Sequence, residues 1–138
     1  MKIKRNKMAS REHLLDQIYW DLYDKDLSNA YLADDEELSS EEQYTNLINY
    51  LNIPLNLTTN QQNLITFRYR VIEGEEDENE DIRNTYEAYY FPTQLRTGYD
   101  VISAISSFYE TKNFDSNTPY FAGLVQLSPG IYFVELSE

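Results

Sequence analysis

The residues able to do chemistry in this chain are almost all carboxylates. There are 24 Asp and Glu against 11 Lys and Arg, with a single histidine, His13, and no cysteine. Seven of the acids fall within nine residues, Glu73-Gly-Glu75-Glu76-Asp77-Glu78-Asn-Glu80-Asp81. A second cluster is Asp34-Asp35-Glu36-Glu37. Carboxylates at this density suit calcium binding, general acid–base work in pairs, or electrostatic docking of a basic partner.

Calcium is tested by spacing. Asp77, Asn79 and Asp81 match the first three ligand positions of an EF-hand loop. The sixth position is then Ile82 instead of glycine, and the twelfth Ala88 instead of glutamate. The tight turn and the bidentate ligand are both lost. A loop starting at Asp24 fails at Asn29 for the same lack of glycine. One histidine without cysteine cannot build a typical zinc site or a His-dependent nucleophile. The four glycines (Gly74, Gly98, Gly123 and Gly130) form no phosphate-cradling pattern. Paired carboxylates serve glycosidases, but nothing in the sequence singles out one pair. The reading is a non-catalytic protein without metal or cofactor.

Charge then points to the partner. Lys2, Lys4, Arg5, Lys7 and Arg11 hold five of the positive charges, so residues 12–138 carry all 24 acids against the remaining six bases, a net of −18. Such a body repels nucleic acid and anionic membrane and attracts basic surfaces. Solubility of a small domain needs only about two to eight net charges. Duplex DNA carries one charge per ~1.7 Å of axis, and a comparable row of carboxylates can occupy a groove built for it. In size, acidity and lack of catalytic residues the chain resembles the small inhibitors encoded by phages and mobile elements, among them antirestriction proteins, anti-CRISPR proteins and uracil-glycosylase inhibitors. That resemblance lies in whole-chain composition. It implies a basic-grooved, nucleic-acid-binding partner, such as a nuclease, restriction enzyme or CRISPR effector, in the cytoplasm of a bacterial host. The contact residues expected are Glu73, Glu75, Glu76, Asp77, Glu78, Glu80 and Asp81, with Asp34, Asp35, Glu36 and Glu37. The alternative is an adaptor, immunity or phage-assembly module that binds through aromatic side chains while the acids maintain solubility.

Thirteen Tyr, six Phe and one Trp supply the apolar area for a folded domain. Residues 1–9 read as a flexible basic arm and 10–138 as one globular domain. Leu14, Leu15, Ile18, Tyr19 and Leu22 share a face at helical spacing, predicting a helix from Arg11 to Asp24, with Trp20 off the stripe and either packed by another element or exposed for a partner. Ser39 with Glu42, or Ser40 with Gln43, fits a capping box for a helix from Glu41 to Asn52, whose buried stripe would be Tyr44, Leu47, Ile48 and Leu51. Thr97 and Asp100 do the same for a helix from Gly98 to Lys112.

From Gln62 to Glu73 and from Arg83 to Phe91 the period is two. A symmetric hairpin sets Ile65 opposite Tyr90, Phe67 opposite Ala88, Tyr69 opposite Tyr86 and Arg68 opposite Glu87. The acidic stretch then forms a loop of about eight residues, longer than most hairpin loops. Tyr120–Leu127 and Ile131–Leu136 form a second hairpin around Pro129-Gly130. The fold expected is α+β: two hairpins in a four-stranded, mostly antiparallel sheet, with three helices on one face, in the order ααββαββ. No apolar run approaches the ~20 residues of a membrane span.

Overall fold

A computed structural model describes residues 13–77 and 80–138, with the backbone alone over 73–83. The fold is α+β. Seven strands form one mixed sheet: β1 His13–Leu14, β2 Ile18–Asp21, β3 Tyr31–Leu32, β4 Ile65–Asp77, β5 Glu80–Tyr90, β6 Tyr120–Ser128 and β7 Ile131–Ser137. The helices are α1 Ser40–Leu51 and α2 Gly98–Thr111, with 3-10 turns at Ala33–Asp35 and Pro92–Gln94. The strand order is β3-β2-β6-β7-β4-β5, and β1 pairs with β6 beside β2. All neighbours are antiparallel except β4 and β7.

The sheet is larger than four strands because the segment expected as a first helix is extended. Ile18, Trp20 and Leu22 alternate inward and are buried, whereas Tyr19 is 42% exposed. The run satisfies both periods, three-to-four and two. Trp20 decides between them: a helix leaves this large apolar side chain on the wet face, and a strand buries it completely. Its indole N–H donates to the Asp24 carbonyl at 2.9 Å. Between β1 and β2 the chain turns through Leu15, at φ 58°, opposite a bulge at Gly123. The left-handed backbone costs Leu15 roughly 1–2 kcal/mol, offset by burial of its side chain against α2. The described chain thus has two α-helices, not three.

A capping box forms at each helix, and for α1 it is Ser39, not Ser40, that caps. Ser39 Oγ accepts from Glu42 N, and Thr97 Oγ1 from Asp100 N, with each acidic side chain returning to the cap backbone. On α1 the buried stripe is narrower than expected: Leu47 and Leu51 are buried, Ile48 is half-buried and Tyr44 is 63% exposed. On α2, Val101, Ile102, Ile105 and Tyr109 are buried. These helices cover the sheet face made by Ile65, Phe67, Tyr69, Val71, Leu124, Tyr132 and Val134. The ring of Phe108 stacks on Tyr69 at 3.7 Å between centroids. The polar loop before β4 is docked through Thr58, whose Oγ1 accepts from Gly130 N at 2.7 Å and whose N–H donates to the Tyr132 hydroxyl at 2.9 Å.

Candidate functional site

The β4–β5 hairpin has the register that its side-chain pattern predicts, Ile65 to Tyr90 through Arg70 to Thr85. It does not end in an eight-residue loop. Pairing continues to Glu73 opposite Ile82 and, after an irregularity, to Asp77 opposite Glu80. The acidic stretch is therefore mostly strand, the backbone hydrogen bonds of the ladder continuing outward from the paired residues at its base. Glu78 lies outside the described residues, as does the basic arm.

The β4–β5 hairpin separates from the rest of the sheet beyond Arg68. β4 pairs with β7 only from Thr66 opposite Ile131 to Arg68 opposite Phe133. Beyond that point β4 and β5 bond to each other, and β7 follows β6 away. Where β7 is lost, the Tyr109 hydroxyl donates to the Arg70 carbonyl at 3.2 Å. Burial pushes this phenol up, while the hydrogen bond opposes that shift. A groove of about 210 Å³ opens there between residues 70–72 and 133–136, with Asp115 and Thr118 in its wall.

The second acidic cluster lies elsewhere. Asp34 and Asp35 form the 3-10 turn directly after β3, the opposite sheet edge from β5. Five strand spacings of ~4.8 Å put the two acidic regions roughly 24 Å apart across the sheet. The cluster is tied to α1: Gln43 Nε2 donates to the Asp35 carbonyl at 2.9 Å and Asn46 Nδ2 to its carboxylate at 3.0 Å. Asp34, Glu36 and Glu37 are exposed. The eleven expected contact residues thus divide between two regions.

A third feature was not anticipated. The sheet face away from the helices carries no helix among the described residues. It presents Tyr19 between Tyr31 and Tyr120, with ring centroids at 4.9 and 5.1 Å. The Tyr120 hydroxyl, as hydrogen-bond partner, pushes the Tyr19 phenol up to about 12. Further along the same face Arg68 Nε donates to Glu87 at 2.8 Å and the Tyr89 hydroxyl donates to the same carboxylate at 2.8 Å. Tyr89 is 60% exposed. Tyr86 and Tyr90 pack toward the core. Reading residues 18–22 as a strand would have placed Tyr19 on this face.

Asp24, the start of the failed second calcium loop, uses its carboxylate internally. It accepts from Ser28 N at 3.1 Å, Ser28 Oγ at 2.9 Å and Asn29 N at 2.6 Å. Desolvation raises its pKa, and these bonds together outweigh it and hold the carboxyl below its usual value. Among the described residues no group of three or more His, Asp or Glu is placed to hold a metal ion. Nor is any helix long and apolar enough to cross a membrane. In comparisons with family models, curated proteins and solved structures, the chain matches none.

Proposed function

We propose that this chain is a non-catalytic binding protein whose acidic hairpin occupies the basic groove of a nucleic-acid-handling protein and inhibits it. The carrying observation is that Glu73–Asp77 and Glu80–Asp81 lie on two paired strands. Strand rise is about 3.4 Å per residue, so Glu73 to Asp77 spans ~14 Å. The six acids described there, Glu73, Glu75, Glu76 and Asp77 on one strand with Glu80 and Asp81 on the other, give one per ~2.3 Å of that length, of the same order as the ~1.7 Å per charge of duplex DNA. Clustered charge also gives fast, salt-sensitive association with a basic groove. The setting proposed is the cytoplasm of a bacterial host, with a nuclease, restriction enzyme or CRISPR effector as target and no direct contact between the acidic body and nucleic acid.

A second reading draws on the uncovered sheet face. Tyr19 and Tyr89 are 42% and 60% exposed there, and rigid amphipathic rings make good contact anchors. On this reading the chain is an adaptor, immunity or assembly module and its acids serve solubility.

Capture of partners from a bacterial lysate separates the two. Retention of a nucleic-acid-binding protein that duplex DNA or RNA displaces supports the hairpin reading. Retention of a partner without a basic groove, sensitive to Tyr19→Ala or Tyr89→Ala, supports the aromatic one and overturns the first.

A further inference from the structure

The sheet has two unequal edges. β3 is two residues long, while β5 runs eleven residues, and among the described residues no strand pairs with its outer side. Glu80–Tyr90 contains no proline and no lysine, two of the devices by which edges are kept from pairing.

The ladder shows which groups face outward. Thr66 N donates to Gly130 O at 2.7 Å, on the β7 side. Backbone groups alternate along a strand, so Ile65, Phe67 and Tyr69 direct theirs to β5. Their partners Tyr90, Ala88 and Tyr86 turn theirs inward. Tyr89, Glu87, Thr85 and Arg83 therefore present their N–H and C=O groups at the free edge.

We infer that this edge is the interface to a second copy of the chain, with the two β5 strands pairing antiparallel about a two-fold axis through Thr85. A symmetric pair that keeps each sheet face continuous must be centred on a residue. Centred on Asn84, it sets Asp81 against Glu87; centred on Arg83 or Glu87, it sets that residue against its own copy. Like charges directly opposite are destabilising. Centred on Tyr86, it makes no charged pair. Centred on Thr85, the middle residue of β5, it sets Arg83 opposite Glu87 twice, with Asp81 opposite Tyr89 and Ile82 opposite Ala88. This register gives opposite-charge pairs, no like-charge pair and hydrogen bonding along the whole strand. It is independent of what the acidic hairpin binds.

The test is the mass of the full chain in solution by light scattering and sedimentation over a wide concentration range. About 0.15 M salt screens charges more than ~8 Å apart and so limits repulsion between the two acidic bodies. The expected species at high concentration has twice the 16.3 kDa of one chain. R83E and E87R should each weaken self-association about tenfold or more, and the double variant R83E/E87R should restore it. E87R also breaks the pair that Glu87 makes with Arg68 within the chain, so the comparison of R83E with the double variant carries the most weight. Thr85→Pro removes one outward N–H without removing a bond to β4 and should abolish the dimer. A single-chain mass at every concentration overturns the inference, as does a dimer unaffected by these changes. If Thr85→Pro alters the far-UV circular dichroism, the charge-reversal set decides alone: restoration in the double variant supports the interface, and its failure overturns it.

Discussion

Arg68 and Glu87 stand directly opposite across the β4–β5 ladder, with Nε 2.8 Å from a carboxylate oxygen. The pair fixes the register of the hairpin on the face without helices, while Phe67 and Tyr69 fix it on the buried face. A slip by one residue would reverse both faces at once.

The Tyr89 hydroxyl first, then Arg68, hold the Glu87 carboxyl below its ordinary range. Side-chain exposures of 37% and 35% limit the strength of the ion pair. A double-mutant cycle of Arg68→Gln and Glu87→Gln should give a coupling of about 0.3–1 kcal/mol in urea unfolding. Because the folded-state pKa is lowered, the contribution is present above pH 4.5 and fades as pH falls through the folded value. A coupling that persists once the Glu87 carboxyl is protonated in the folded chain would contradict this reading.

Asp24 holds the turn that closes over Trp20. Asp24→Ala should destabilise the fold by about 1–3 kcal/mol, since the Ser28 and Asn29 donors lose a charged acceptor. Trp20 fluorescence reports it, as the indole is fully buried and bonded to the Asp24 carbonyl. The lowered carboxyl pKa means this contribution is complete above pH 3.8 and lost as pH drops through the folded value.

Gly130 turns β6 into β7 at φ 84°, and a Cβ there would stand 2.5 Å from Asn60 N and 2.8 Å from Thr59 C. These are backbone atoms of the loop held by Thr58, so they cannot yield cheaply. Gly130→Ala should cost about 3 kcal/mol from left-handed strain and overpacking together. Thermal unfolding measures it, and a loss below about 1 kcal/mol would show that the loop moves aside.

At alkaline pH the buried phenols should resist ionisation. Burial is the leading cause that pushes the Tyr69, Tyr90 and Tyr109 hydroxyls up. A raised folded-state pKa leaves their contribution intact below the ordinary value of 10.0 and removes it as pH rises further. Ultraviolet titration of the 13 tyrosines should therefore show a late fraction that ionises only together with unfolding.

The parts legible in the sequence are those where one period and one cap agree. Thr97 with Asp100, and alternation from Ile65 to Val71 against Asn84 to Tyr90, each allow one structure, and the two serines before α1 differ by a single position in where the helix starts. Residues 14–22 were not legible because their apolar positions fit two periods, and the strand prevails through partners in β3 and in β6, the latter a hundred residues away. For the acidic stretch, composition indicated a loop, since strand propensity is low for Glu and Asp. The ladder continues regardless, extended from the paired strands at its base. The aromatic face of Tyr19, Tyr31 and Tyr120 was hidden for the same long-range reason.

The central claim is that paired acidic strands mimic the charge of nucleic acid. Its most direct test replaces Glu75, Glu76, Glu78 and Glu80 by Gln and Asp77 by Asn, and compares affinity for a captured nucleic-acid-binding partner across salt. The parent chain should bind tightly at low salt and weaken steeply as salt rises, whereas the neutralised chain keeps its fold and loses binding by a hundredfold or more, on the order of 3 kcal/mol. Binding that survives both the substitutions and high salt would contradict it.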